Sequence, residues 1–340
     1  MFCIETGNPA LDIIVNILIF IGGTAVLVKG SDWFIDAASN LARRWGVSEI
    51  VIGLTLVSIG TSLPELASSV YAAIQGEGDF IIGNIVGSNV TNVSLILAIG
   101  IIGMGKMPFE RKVLTRDGVF MLIVYLVCAG LFALPLKTGE TALHGIDFRG
   151  GILLLVLAAL YLFLLFRQNK PGADKESEGP EQKKQGSVPA DFALLALGIV
   201  MITAGSKGMV DPAVWGAHQL GISVLVISST IVAFGTSVPE LAVTLAGILK
   251  KRHEIALGNI LGSNIFNILL IFGVTGCITT LPLDTAGIGL LNLGFMGATG
   301  LLLILFLAAG KTRLTRIQGV VLLLIYLAFM FCNVRAAVFK

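Results

Sequence analysis

One hexapeptide occurs twice in this chain, each time inside an apolar stretch: Gly60-Thr61-Ser62-Leu63-Pro64-Glu65 and Gly235-Thr236-Ser237-Val238-Pro239-Glu240. The offset between the copies is 240 − 65 = 175 residues. Each copy puts a carboxylate, two hydroxyls and a helix-breaking proline where a membrane span should be uniformly apolar. A carboxylate at the middle of a bilayer costs about 2.5–3.5 kcal/mol on insertion scales. A chain that bears this cost twice, in the same context, is expected to use both carboxylates together.

The surroundings are those of an integral membrane protein. Of 340 residues 55% are hydrophobic and only 13% charged, against about 25% charged in soluble domains. Ten hydrophobic spans are predicted, near 11–39, 49–74, 80–104, 116–136, 149–167, 190–212, 222–249, 255–278, 286–309 and 316–334. Their lengths suit transmembrane helices, and regularly alternating strands of the outer-membrane barrel type are not seen. The basic residues are scattered through short loops, so nucleic acid is not expected as a partner. The four cysteines form no CxxC pair and suggest neither a zinc site nor a disulfide framework. No cofactor and no obligate protein partner are implied.

A polar segment rich in Lys, Glu, Pro, Gly and Ser runs over 168–189 and reads as a flexible linker. It separates a first unit, 1–167, from a second, 190–340, with five spans each. The units are a repeat. At offset 175, Gly30-Ser31 falls on Gly205-Ser206, Gly83-Asn84 on Gly258-Asn259, Gly87-Ser88-Asn89 on Gly262-Ser263-Asn264, and Asn92 on Asn267. An odd number of spans per repeat makes the second copy enter the membrane inverted.

Loop charges agree. Lys and Arg concentrate after the first, third, fifth, seventh and ninth spans, for example Arg43-Arg44, Lys106 with Arg111, and Lys250-Lys251-Arg252. Cytoplasmic loops carry such an excess, which places both termini outside and the linker in the cytoplasm. The expected fold is therefore an all-α integral membrane protein of ten transmembrane helices in two inverted five-helix repeats. Inverted repeats are typical of secondary transporters.

The chemistry of the two motifs points to a hard cation. Pro64 and Pro239 remove an intrahelical donor and crowd the preceding turn, freeing carbonyls near Gly60-Thr61 and Gly235-Thr236. Such carbonyls are tolerated in a membrane where they line a polar cavity. Thr61 and Ser62 lie one turn before Glu65, on its helix face. The second motif gives a polar stripe, Asn84, Ser88 and Asn92, repeated as Asn259, Ser263 and Asn267. Each stripe is expected to face the hexapeptide of the preceding span across a short hairpin. Carboxylate, hydroxyl and carbonyl oxygens suit Ca²⁺, at roughly 2.3–2.6 Å from each ligand. With no thiolate or imidazole nearby, zinc and copper are not expected.

These paired motifs resemble the two α-repeats of the cation/Ca²⁺ exchanger superfamily, most closely its prokaryotic Na⁺/Ca²⁺ exchangers. The resemblance covers essentially the whole layout. It implies alternating access, with long first and sixth spans sliding over the other eight. It implies that Glu65 and Glu240 bind Ca²⁺ and share in binding Na⁺, and that Thr61 and Thr236 give backbone carbonyls to Ca²⁺. It further implies carbonyls of Ser58 and Ala233 at flanking Na⁺ sites, hydroxyls of Ser62, Ser237, Ser88 and Ser263 in the site, and Asn92 as a family Asn. Asn267 departs from the pattern, because many relatives carry Asp there. The core then holds two carboxylates rather than three, which disfavours K⁺ dependence. The expected function is Na⁺-driven Ca²⁺ antiport in a prokaryotic plasma membrane. An H⁺/Ca²⁺ antiporter is the near alternative; a cation channel or an intramembrane enzyme rank lower.

Overall fold

The computed structural model describes residues 4, 6–44, 57–109, 111, 113–136, 143–168, 187–249, 253–283, 287–309 and 313–338. The linker centre, Ser48, Arg252 and the predicted start of the second span lie outside these residues. In the first half the helices are α1 (Pro9–Arg44), α2 (Val57–Thr61), α3 (Leu63–Gln75), α4 (Gly78–Thr91), α5 (Ala98–Met104), α6 (Val119–Ala133) and α7 (Phe148–Gln168). In the second they are α8 (Val188–Leu220), α9 (Val224–Ile227), α10 (Ala233–Thr236), α11 (Val238–Leu249), α12 (His253–Phe266), α13 (Gly273–Ile278), α14 (Ile288–Ala309) and α15 (Arg316–Val338). Wide π-type turns at Asn92–Leu97 and Asn267–Phe272 join α4 to α5 and α12 to α13. These turns are themselves 267 − 92 = 175 residues apart.

Among the described residues eight helices are long and apolar enough to cross a membrane. The bent pair Val224–Thr236 and Val238–Leu249, with 41° between its parts, makes a ninth if it is one span. The chain is thus a helical, multi-pass integral membrane protein. Apolar side chains face outward in rows, such as Ile14, Leu18 and Ile21 on α1 and Leu324, Leu327 and Phe331 on α15. In water this surface would be prohibitive; in lipid it is the required solvent-facing surface.

The two repeats are not side by side but interleaved. The spans Gly78–Met104 and Ala256–Ile278 are 83% buried and form the centre, whereas the windows of α1 and α8 are 17% buried and lie at the periphery. In the centre, Gly87 on α4 meets the π-type turn Ser228–Val232 of the other half, where a Cβ would overlap the backbone of Ser229. Only glycine allows that approach.

α1 and α8 pack on each other antiparallel: Gly23 lies against Gly208, Leu27 against Gly205, Gly30 against Gly198, and Asn40 against Asp191. At one end Asn40 donates to Asp191 at 3.1 Å, and Arg44 lies 3.6 Å from the same buried carboxylate. α8 continues through Pro212 to Leu220, eight residues beyond the predicted end of its span.

Five short strands, absent from the expected all-α plan, lie in the connecting segments. β1 (Lys106–Pro108) pairs antiparallel with β5 (Arg313–Thr315), and β3 (Leu143–Ile146) pairs with both β2 (Pro135–Leu136) and β4 (Leu281–Leu283). β1 and β4 occupy equivalent repeat positions, since 281 − 106 = 175. Each therefore ties its own half to the other half.

The α1–α8 contact generates a test. At Gly205 an added side chain would run into the backbone of Leu27, while Gly130 has open space around it. Gly205→Leu should destabilise the protein by about 1–3 kcal/mol through overpacking, and Gly130→Leu should change little. Thermal unfolding in mild detergent measures the difference.

A candidate cation site at the seam of the two repeats

In both hexapeptides the helix breaks at the serine. Ser62 has φ −86° and ψ 8°, and Ser237 has φ −81° and ψ 7°. The cause lies two residues on. Pro64 and Pro239 have no N–H to return to the carbonyls of Gly60 and Gly235, and their rings crowd that turn. A new helix starts at once, with Leu66 N–H bonded to the Ser62 carbonyl at 3.0 Å and Leu241 N–H to that of Ser237 at 3.0 Å. Glu65 and Glu240 thus sit in the first turns of α3 and α11. There, unpaired helical N–H groups favour negative charge.

Both glutamates have 0% exposure. Each receives a hydroxyl from the opposite repeat. Ser62 Oγ donates to Glu240 Oε1 at 3.1 Å, and Ser237 Oγ donates to Glu65 Oε1 at 3.3 Å. The second oxygens, Oε2 of both, are buried without a hydrogen-bond partner. A buried anionic oxygen left unpaired is strongly unfavourable. Two of them, in positions related by the repeat offset, mark the candidate cation site.

The threonines repeat the crossing. Thr61 Oγ1 donates to Asn259 Oδ1 at 3.2 Å and lies 3.3 Å from Ser263 Oγ. Thr236 Oγ1 donates to Asn84 Oδ1 at 3.2 Å and lies 3.5 Å from Ser88 Oγ. The Ala233 carbonyl accepts from Ser88 Oγ at 3.4 Å and from Thr236 Oγ1 at 3.3 Å. Ser58 is on α2, and its side chain lies outside those described.

The expected hairpin contact is made in the second half, where Asn259 Nδ2 donates to the Glu240 carbonyl at 3.5 Å. The hexapeptide threonines and serines also bond across the repeats, which was not expected. Other same-half contacts are made by the amide nitrogens further along: Asn84 Nδ2 to Ser68 Oγ and Ser69 Oγ, both at 3.3 Å, and Asn259 Nδ2 to Thr244 Oγ1 at 3.3 Å. Each asparagine therefore bridges its own preceding helix and the opposite hexapeptide.

A second crossed layer lies one turn on. Asn92 Nδ2 donates to Asn264 Oδ1 at 3.1 Å, and Asn267 Nδ2 donates to Asn89 Oδ1 at 3.0 Å. The structure thus brings together all the predicted residues whose side chains are described. It gives the stripe residues Asn84 and Asn259 their partners and adds Asn89, Asn264, Ser69 and Thr244. The signal for these was present: Asn84 and Asn259, Asn89 and Asn264, and the hydroxyls Ser69 and Thr244 all fall at offset 175. Among the described residues no group of three or more His, Cys, Asp or Glu side chains could hold a metal. The set is two carboxylates amid neutral oxygens.

Two interleaved halves around a buried pair of carboxylates, in a helical multi-pass membrane protein, fit a membrane carrier. The family model described as "Sodium/calcium exchanger protein" matches residues 15–167 and 190–335, and the chain belongs to that family. It is 37% identical to the sodium/calcium exchanger MaX1 of Methanosarcina acetivorans, over 94% of this chain and 98% of that protein. It is 36% identical to the putative antiporter CaxA of Alkalimonas amylolytica, over 91% of this chain and 95% of that one. Among solved structures it is similar to the sodium-calcium exchanger NCX_Mj soaked with 100 mM Na⁺ and 10 mM Sr²⁺. That match has 30% identity and a TM-score of 0.62, over 96% of this chain and 99% of that chain.

The crossed serine bonds can be tested singly. Ser62→Ala and Ser237→Ala each strip a donor from a buried carboxylate, which should cost about 1–3 kcal/mol. Because the two bonds are related by the repeat, the two losses should be comparable. Denaturation of the purified protein in detergent reads both.

Proposed function

We propose that this chain is a Na⁺/Ca²⁺ antiporter in which both ions compete for Glu65 and Glu240. The observation that carries the reading is the symmetric pair of buried carboxylates, each with one oxygen held by the other repeat's serine and one left without a partner. Two carboxylates neutralise one Ca²⁺ or two Na⁺. A third Na⁺ would leave the loaded site one charge positive. Thr61, Thr236, Ser62, Ser237, Ser88, Ser263, Asn92 and Asn267 supply neutral oxygens around them, with Ser58 and Ala233 giving carbonyls one turn earlier. No third carboxylate stands at Asn267, which argues against a need for K⁺.

Coupling follows from electrostatics. Ca²⁺ and Na⁺ cannot both occupy the same oxygens. An empty site would carry two uncompensated carboxylates through an occluded state, at the cost that disfavours any intramembrane charge. Loaded sites cross; empty ones do not. The moving part is the α1–α8 pair, which is peripheral, clamped along its own length and apolar toward lipid. The other spans form the stationary core.

The topology proposed is ten spans in two inverted repeats, 1–167 and 190–340, joined by the cytoplasmic linker 168–189, with both termini outside. The eight spans among the described residues, with the bent pair as a ninth, the two family-matched stretches and the loop charges support it. The membrane is proposed to be a prokaryotic plasma membrane.

Glu65→Gln and Glu240→Gln keep the side-chain shape and delete one charge. Each should abolish Na⁺-driven uptake of radiolabelled Ca²⁺ in proteoliposomes while the protein still elutes as a folded species. Varying Na⁺, H⁺ and K⁺ gradients one at a time should give uptake with Na⁺ alone. Uptake driven equally by a pH gradient, or surviving either substitution, would refute the proposal.

A further inference from the structure

The asparagine layer one helical turn past Ser88 and Ser263 holds a feature that ion binding by itself does not require. Asn92 and Asn267 each donate their amide N–H to an asparagine of the opposite repeat, at 3.1 and 3.0 Å. Their own Oδ1 atoms are buried and have no hydrogen-bond partner. A carboxamide has a donor end and an acceptor end, so what holds the nitrogen decides where the oxygen points. Here the nitrogen is held by Asn264 Oδ1 for Asn92 and by Asn89 Oδ1 for Asn267.

The holders are themselves oriented. Asn89 Nδ2 donates to the Asn264 carbonyl at 3.3 Å and to Met296 Sδ at 3.6 Å, and Asn264 Nδ2 points to Met121 Sδ at 3.9 Å. The methionines also stand at the repeat offset, since 296 − 121 = 175. A thioether sulfur accepts weakly and donates nothing. It therefore receives the N–H end of an asparagine and rejects the flipped amide. The same arrangement is thus built twice, from two different stretches of sequence.

We propose that Asn89 and Asn264 are positioning residues, each fixing the carboxamide of the opposite repeat's Asn267 or Asn92 so that its oxygen is presented to the cation. This rests on the reading of Glu65 and Glu240 as the cation site. Without the holder, the amide can turn its N–H end inward, and an N–H repels a cation where an oxygen would bind it. The arrangement also makes each half's contribution depend on the other half.

The test is a double-mutant cycle on Ca²⁺ binding to the purified full-length protein, with thermal unfolding and transport measured alongside. Asn89→Leu should raise the half-maximal Ca²⁺ concentration about tenfold, with maximal exchange rate changed far less. Asn89→Leu combined with Asn267→Leu should bind no worse than Asn267→Leu alone, because no amide remains to be positioned. Asn89→Asp keeps an acceptor at the same place and should bind Ca²⁺ at least as tightly as the parent. Additive losses in the cycle, unchanged binding in Asn89→Leu, or equal weakening by Asn89→Asp and Asn89→Leu would each overturn the proposal. Should Asn89→Leu not fold, Asn89→Asp decides alone, and weakened binding there rejects it. Glu65→Gln separates the two levels. Binding lost in Glu65→Gln but intact in Asn89→Leu rejects only the positioning role, whereas binding that survives Glu65→Gln rejects the site itself.

Discussion

The rest of the structure depends on the burial of two carboxylates in a protein surrounded by hydrocarbon. Among the described residues neither Glu65 nor Glu240 has a basic side chain bonded to it. Each has a serine on one oxygen and nothing on the other. Hydroxyl donors contribute on the order of 1–3 kcal/mol to a charged acceptor, well short of the several kcal/mol that burying the ion costs. In the antiporter proposed above, the missing stabilisation would come from the bound cation. The site is therefore conditional by construction, and its occupancy is bound up with the energy of every conformation in which it is closed.

That condition explains why the two halves interleave. A single repeat supplies one glutamate, with its serine, threonine and asparagines aimed elsewhere. Each hexapeptide finds its partners in the opposite repeat, through Thr61 and Asn259 as through Thr236 and Asn84. The cross-repeat strands do the same at the level of the backbone, β1 with β5 and β3 with β4. Neither half could satisfy its buried polar groups alone, so the repeat is a unit of sequence and not of stability. Glycine makes this possible where backbones cross, at Gly87 against Ser229.

Much of this was legible in the sequence because it is written in local pattern. The helices coincide with apolar runs, and the offset of 175 residues picks out the glutamates, the hydroxyls and the asparagine stripes. What could not be read is what depends on partners remote in sequence. The direction of the Thr61 bond, to Asn259 rather than within its own hairpin, is a contact across 198 residues. Strands of two to four residues carry no alternation to detect, and their pairing is set by helices that bring loops together. The extra length of α8 beyond residue 212 ran against the proline rule, yet Pro212 lies inside one continuous helix packed on its neighbours. The amide N–H groups aimed at the sulfur atoms of Met121 and Met296 come from residues 143 and 207 positions away, beyond any local pattern.

Symmetry of the site does not extend to its surroundings, and that has an energetic consequence. The glutamates, serines, threonines and asparagines of the seam are matched pair by pair. The residues that make polar ties on the peripheral helices are not matched in this way. Tyr71 on α3 donates to Asp211 on α8 at 3.0 Å, but the equivalent positions hold Ala246 and Asp36, and an alanine cannot donate. Asp191 meets Asn40 and Arg44, and the equivalent positions hold residues of other types, Asn16, Trp215 and Gln219. In the inverted-repeat carrier proposed above, the two end states would exchange the roles of the repeats. Matched residues would then contribute equally to both states, and only the unmatched ones would separate them in energy. On that proposal the seam would set which ions are carried, while residues such as Tyr71, Asp211 and Arg44 would set which face the carrier prefers. One interaction of a few kcal/mol is enough for this, since about 1.4 kcal/mol already shifts a two-state balance tenfold.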